Sequence, residues 1–528
     1  MLTTSDTTWT SDNSQIRVDE KRWADCDDLR TSFTLAISAM YRSEVPLYGD
    51  LVRIISDINS STLQETLNPE VLAMRSGNVT TDRLDIERHG AIRLGTPKEL
   101  ETIRAVFGIL GLFPVGYYDL SIAGLPIHAT CFRPITQRGL HKNPFRVFTS
   151  LLRPELIEDT NARELALKLL NKRQIFSDKL LSLLGSAATQ HGRLTVEQSP
   201  HFIAEAIKIF QWQGQATATT EEYSYLKAQN PILADIACFG TSHINHLTPR
   251  TLNIIAAQQA LCDEGIPVKE RIEGPPPRAC PILLRQTSFL AVEERICFGD
   301  VDFSSEIHQT ESNFAKSQLE DSCGLHRARF GEVEERGAAV TPAGRELYDA
   351  LVKKVMMVAK GKHERSARKD EYDGVTGASY DDLLAEVFRE YPDDWEELRK
   401  RRLVYFTYQC AGQLTQLARD RRMDVWPPRS LDKLLQDGIV KAVPMTYEDF
   451  LPLSAAGIFQ SNLGTATTPG SSSSNAREKR GPNKRIGDQK GMEVAMQARI
   501  LDLDEWYRFV EAKSIEACSN HLGVRIVR

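Results

Sequence analysis

The sequence predicts a mixed α+β protein in which two strand–helix–strand–strand–strand units face each other as a half-open barrel, with large helical additions around them. Three observations lead there. Short apolar or alternating runs bounded by glycine and proline fall in two groups, at residues 85–155 and 232–345. Each group presents its elements in the same order, although no sequence identity links the two, and repeated units pack together when neither buries its apolar face alone. Outside these groups the apolar residues recur at helical spacing, as Leu165, Leu169 and Phe176 do.

Residues 1–26 contain too little apolar content to order themselves and read as a tail. Residues 27–84 read as helices, with Leu51, Ile54, Ile55 and Ile58 forming one stripe. The first unit opens with a short glycine-bounded strand, His89–Gly95. Thr96-Pro97-Lys98-Glu99 then forms a capping box with proline at the first helical position. Leu100, Ile103, Phe107 and Leu110 carry that helix, and Pro114 follows its end. Tyr117–Ile122 and Pro126–Phe132 read as a hairpin turning at Ala123-Gly124, and Phe145–Leu152 as the unit's last strand. Residues 156–231 form a helical insertion. In the second unit Ile232–Leu247 contains a strand, and Thr248-Pro249-Arg250 opens a helix running to about Asp263. Val268–Glu273, Ile282–Leu290 and Arg329–Thr341 supply three more strands, with a surface excursion over Asp300–Leu325. Residues 346–463 read as mainly helical: Gly344–Ala359, Tyr380–Tyr391 and Asp394–Val404 are amphipathic, and the small apolar stretch Phe450–Gly464 could cap a cavity. Residues 464–491 are a Ser-rich basic loop, and 492–528 read as terminal helices.

Composition narrows the function classes. The 528 residues are 41% hydrophobic and 26% charged, as in an ordinary globular protein. The net charge of -6 gives no global attraction to nucleic acid or an anionic membrane. The basic clusters Lys360–Lys369 and Arg477–Arg485 read as solvated loops. The longest run without charge or strong polarity, Ala105–Gly116, is too short to span a bilayer, and Met1–Arg17 lacks the layout of a secretory signal or organelle presequence. Nine cysteines are scattered without a C-x-x-C pair, which fits reduced thiols in the cytoplasm better than disulfides or structural zinc.

The chemistry concentrates around Ser242-His243-Ile244-Asn245-His246-Leu247-Thr248, where two imidazoles stand three residues apart. His89 offers a third imidazole and Glu332, Glu334 and Glu335 offer carboxylates. Two histidines and one carboxylate from distant strands would make the facial triad of a non-heme iron(II) site. His243 and His246 are an odd number apart, so only one faces inward from a regular strand; Glu332 and Glu334 share a face. His89 and Arg93 also share a face, which would set a guanidinium near the metal, suited to gripping a carboxylate. His128 and His326 suit core or supporting roles.

The blocks ERHGAIR, PVGYYDLS, NPFRVFTSLLR, HINHLTPRTL, ILLRQTSF, RFGEVEERG and SAAGIFQSNLG, in this order from about residue 33 to 464, resemble the 2-oxoadipate dioxygenase/decarboxylase (hydroxyglutarate synthase) family. The resemblance implies a vicinal-oxygen-chelate-like core, an Fe(2+) cofactor, and conversion of 2-oxoadipate and O2 to 2-hydroxyglutarate and CO2 in lysine catabolism. Carried over by position, it implies His89, His246 and Glu332 as metal ligands that also contact substrate. It implies Arg93 as the substrate-contacting catalytic arginine, and Leu453 and Ser454 as contacts from a carboxyl-terminal cap, with leucine standing where a family member has valine. The chain departs from the family's pattern between residues 290 and 325 and after Gly464, away from every matched ligand. Residue types alone leave two other readings open: a zinc or manganese lyase or isomerase on the same fold, and a non-catalytic small-molecule binder.

Overall fold

The computed structural model describes residues 23–64, 84, 86–298, 323–366, 377–411, 428–450 and 488–528. The expected caps Leu453 and Ser454, the loop 464–487 and most of the amino-terminal tail lie outside these residues.

The architecture is α+β, centred on a seven-stranded sheet. Its strands are β1 (His89–Leu94), β2 (Phe113–Asp119), β3 (Ile127–Arg133), β4 (Arg146–Leu152), β5 (His246–Thr248), β6 (Leu284–Ser288) and β9 (Phe330–Arg336). They lie in the order β2-β3-β4-β1-β5-β9-β6. Two further strands, β7 (Glu293–Cys297) and β8 (Cys323–Arg327), form a separate hairpin.

The two halves repeat one pairing scheme. In the first, β1 pairs β4 in parallel while β4–β3 and β3–β2 are antiparallel. In the second, β5 pairs β9 in parallel and β9–β6 is antiparallel. The segment at Val268–Glu273, expected as a full strand, runs beside β6 and Phe289 with isolated bridges of Val268 to Phe289 and Glu273 to Gln286 in place of a continuous ladder. The halves join where β1 runs antiparallel to β5, with His89 opposite Thr248. That seam brings the first strands of both units side by side.

Why the first unit forms is plain from local signals. Thr96 accepts from Glu99 N while the Glu99 carboxylate reaches back, so both halves of the capping box are made, and the helix runs Pro97–Ile109. The expected hairpin is displaced: β2 ends at Asp119, a 3-10 turn follows, and Gly124 at φ 82° closes it in the left-handed region glycine tolerates. Strands β1 and β4 are buried along their whole length, so they read as continuous runs rather than alternating ones.

The second unit corrects two expectations. Ile232–Leu247, expected to contain a strand, holds one only at its end, where β5 begins at His246; its first part is a helix, Pro231–Ala237, with Asn230 accepting from Ile232 N. All its residues from Ile232 to Ala237 are buried, and an all-buried short run has no period to separate helix from strand. Thr248-Pro249-Arg250 does not start a helix; the helix is Ile254–Asp263, capped by Asn253. Asn59 holds the intervening segment, donating to Arg250 O and accepting from Leu252 N, each at 2.8 Å.

One sheet face packs an apolar core against the helices. Ile92, Leu94, Val147, Leu247 and Val333 meet Phe107 and the residues Phe33, Ile37, Tyr41 and Leu51 of the two amino-terminal helices, Cys26–Glu44 and Pro46–Gln64. Tyr41 Oη lies 2.8 Å from the carbonyls of both Asn245 and Phe330, pinning the starts of β5 and β9. Beyond the sheet, residues from Pro342 onward build a second core. It contains helices, as expected, but also an antiparallel strand pair, Phe406–Cys410 with Val440–Pro444. Residues leaving that pair return to the sheet: Tyr447 N donates to Gly337 O, and the Asp449 carboxylate receives two bonds from Arg133.

Candidate metal centre

The opposite sheet face is polar, and strand register decides what meets there. His89 on β1, His246 on β5 and Glu332 on β9 each offer one ligand atom, all within 4.8 Å of one another, and all three residues are buried. The short β5 exists to place one of them. Backbone bonds hold residues 242–246 along β1: Ser242 Oγ donates to Arg93 O at 2.6 Å, and Asn245 N donates to Ala91 O at 2.9 Å. Gly90 permits this closeness, since a Cβ there would lie 2.9 Å from the His246 carbonyl oxygen.

His89 Nε2 is 2.9 Å from Glu332 Oε1 and 3.0 Å from the Thr248 hydroxyl. Its other nitrogen, Nδ1, is 2.9 Å from Glu334 Oε2. Arg336 grips Glu334 in a fork, at 2.7 and 2.6 Å. Burial alone would raise the Glu334 carboxyl, but Arg336 and His89 hold it well below the usual range. Burial pushes Glu332 up and, as the largest cause, pushes His246 well down. The His246 ring stacks on Phe330 at 4.8 Å and stands edge-on to His89 at 5.3 Å. Phe450, the last described residue before the expected cap, sets its ring 4.6 Å from His89.

The donor set fits a divalent metal. Both His246 nitrogens and Glu332 Oε2 are buried without a hydrogen-bond partner among the described residues. Such groups are costly to bury unpaired, and a cation between two neutral imidazoles and a carboxylate would satisfy them. Glu334 supplies what a ligating histidine commonly needs on its other nitrogen, a carboxylate that fixes tautomer and ring orientation.

Arg93 shares the face of His89, but its guanidinium Nη1 contacts the Asp235 carboxylate and Asn245 Oδ1. His243 does not join the metal group. Its Nε2 is 3.1 Å from Asp235 Oδ1, where His326 Nε2 also arrives at 3.0 Å. Asp235, His243 and His326 thus form a second buried cluster whose ligand-type atoms lie within 4.8 Å of one another. Asp235 escaped the sequence reading because nothing in its apolar segment marks it as part of a site. Ser288 escaped it too: β6 register sets it opposite Glu332, and its buried hydroxyl has no partner among the described residues. Parity from Glu332 across an antiparallel pair was the signal available for it.

A half-barrel sheet whose inner face carries a buried His–His–carboxylate group defines a metal-dependent enzyme. The profile of the 2-oxoadipate dioxygenase/decarboxylase family matches residues 33–462. The 2-oxoadipate dioxygenase/decarboxylase of Pseudomonas putida is 42% identical over 498 residues, covering 94% of this chain and 97% of that one. That of Escherichia coli is 41% identical over 492 residues, covering 93% and 98%. Among solved structures, hydroxyglutarate synthase from Pseudomonas putida in complex with 2-oxoadipate superposes with a TM-score of 0.77 at 40% identity, covering 95% of this chain and 99% of that one. The chain belongs to the 2-oxoadipate dioxygenase/decarboxylase family, as its sequence blocks indicated.

Proposed function

We propose that this chain converts 2-oxoadipate and O2 to 2-hydroxyglutarate and CO2, using iron(II) held by His89, His246 and Glu332. One observation carries the metal assignment: a fully buried His246 with both ring nitrogens unpartnered among the described residues, beside His89 and Glu332. The family relationship supports the substrate, since relatives across nearly the whole length are named for it.

When bound, iron(II) would supply an open coordination face for a 2-oxo acid and O2, while the substrate itself, through loss of CO2 and hydroxylation, provides the electrons that reduce O2. The protein does the rest. Glu334 keeps a proton on His89 Nδ1, leaving Nε2 as the donor nitrogen. Burial keeps His246 neutral at physiological pH, so no proton competes for its lone pair. Arg93 grips the carboxylate remote from the 2-oxo group, and Leu453 and Ser454, which lie outside the described residues, are further diacid contacts carried over from the family's pattern. Phe450 and Phe330 border the site with apolar rings, which keeps water from the reacting carbon. No described helix is long and apolar enough to cross a membrane, and the described cysteines are free thiols, which supports a cytoplasmic enzyme.

The test is anaerobic loading with iron(II), then 2-oxoadipate and air, with O2 uptake, CO2 and hydroxy acid followed together. Stoichiometric O2 consumption and CO2 release, lost in His246→Ala, is the expected result. Product formation without O2 uptake under zinc or manganese would replace it with a non-redox reaction.

A further inference from the structure

The proposed function leaves one buried set of ionisable groups without a task. Asp235, His243 and His326 sit beside Arg93, at most a few per cent exposed. Their contacts converge on a single carboxylate. Both imidazoles direct Nε2 at Asp235 Oδ1, at 3.1 and 3.0 Å, while Arg93 Nη1 takes Oδ2. Each imidazole is itself fixed. Tyr223 Oη lies 3.0 Å from His326 Nδ1, the Asp235 carboxylate, which can only accept, faces Nε2, and Trp212 stacks on the His326 ring and stands edge-on to that of His243. Arg93 Nη1 also contacts Asn245 Oδ1, the side chain next to the His246 ligand.

We propose that Asp235, braced by His243 and His326, is a positioning residue for Arg93 and so sets the enzyme's selectivity for a 2-oxo diacid over a 2-oxo monoacid. This rests on the reading of Arg93 as the grip on the remote carboxylate. A guanidinium on a flexible stem grips a carboxylate well only when its plane is fixed beforehand. Asp235 and Asn245 fix one Nη from the protein side, and the two histidines hold the Asp235 carboxylate in place. A metal held by Asp235, His243 and His326 is the competing use of the same atoms; Asp235 Oδ2 is already engaged by the Arg93 guanidinium, and metal analysis separates the two uses.

The test is a double-mutant cycle on the anaerobic iron-loaded protein: wild type, Asp235→Asn, Arg93→Met and the two together. Each is titrated with 2-oxoadipate and with 2-oxohexanoate, its monoacid counterpart of equal length. Asp235→Asn is expected to weaken 2-oxoadipate binding by about tenfold to a hundredfold, to leave 2-oxohexanoate binding nearly unchanged, and to add nothing in the Arg93→Met background. Equal losses for both ligands, or additive effects in the cycle, overturn the proposal, since a purely structural role predicts both. So does a second metal equivalent per chain that disappears in His326→Gln. If Asp235→Asn does not fold, the double variant, which buries no unpaired charge, and His326→Gln carry the test; His326→Gln is expected to lose diacid selectivity in part. A wild type that binds diacid and monoacid alike overturns the Arg93 assignment itself, a result seen before any variant is made.

Discussion

Glu334→Gln probes the metal centre without touching a ligand. The carboxylate stands 2.9 Å from His89 Nδ1 and is forked by Arg336 at 2.7 and 2.6 Å, all fully buried. Gln keeps the size and one acceptor but removes the charge that anchors the His89 ring. Loss of such a support costs about 10–100-fold in metal affinity, or roughly 1.4–2.8 kcal/mol. The same change strands Arg336, and removing one partner of a buried ion pair costs up to roughly 3–5 kcal/mol of stability. The two effects separate experimentally. Iron affinity is measured anaerobically against a competing chelator, and stability by denaturant unfolding of the metal-free protein. Weakened iron binding together with lowered stability is the expected result. Lowered stability with iron affinity within about twofold of wild type would refute the role given to Glu334.

Three further predictions follow from the same geometry. Arg93→Ala should raise KM for 2-oxoadipate far more than it lowers iron content, checked by steady-state kinetics beside metal analysis; equal loss of both would place Arg93 in metal retention. Gly90→Ala should weaken iron binding and lower Tm, because the new methyl meets Ile244 at 2.4 Å and the His246 carbonyl at 2.9 Å and pushes β5 from β1. His128 is held down to about 4, first by burial and then by Arg153. Because its folded value lies below the ordinary 6.5, the unfolded chain takes up the proton first. Its contribution of roughly 3 kcal/mol is therefore present above pH 6.5 and lost as pH falls towards 4. His128→Gln should flatten the stability loss between neutral pH and about pH 5, read from denaturant midpoints; an unchanged slope would contradict this.

Much of the fold could be read where local chemistry decides structure. The capping box at Thr96 and the glycine-bounded run from His89 each specify their element from a few residues, and both stand where expected. Order of elements alone was enough to suggest two facing units, which the repeated parallel and antiparallel pairings bear out. The second unit was harder because its strands lean on tertiary contacts. Strand β5 has three residues, held by β1 and β9 rather than by propensity. The segment at Val268–Glu273, beside β6, makes isolated bridges rather than a strand. Ile232–Ala237 could not be told from a strand, since burial on every side erases the helical period.

Of the candidate site, spacing offered the imidazoles and carboxylates but left His243 against His246, and Glu332 against Glu334, undecided. Position in the family blocks selected His246 and Glu332, and the structure brings both beside His89. Glu334 serves Arg336 and His89, and His243 serves Asp235. Asp235 was invisible because its importance comes from three partners, Arg93, His243 and His326, that share no motif with it.

Anomalous diffraction at the iron edge, from crystals of the anaerobically loaded protein, tests the central assignment most directly. The account predicts one strong peak at about 2.0–2.2 Å from a nitrogen of His89, a nitrogen of His246 and an oxygen of Glu332. A peak between Asp235, His243 and His326 instead, or none near His246, would contradict it.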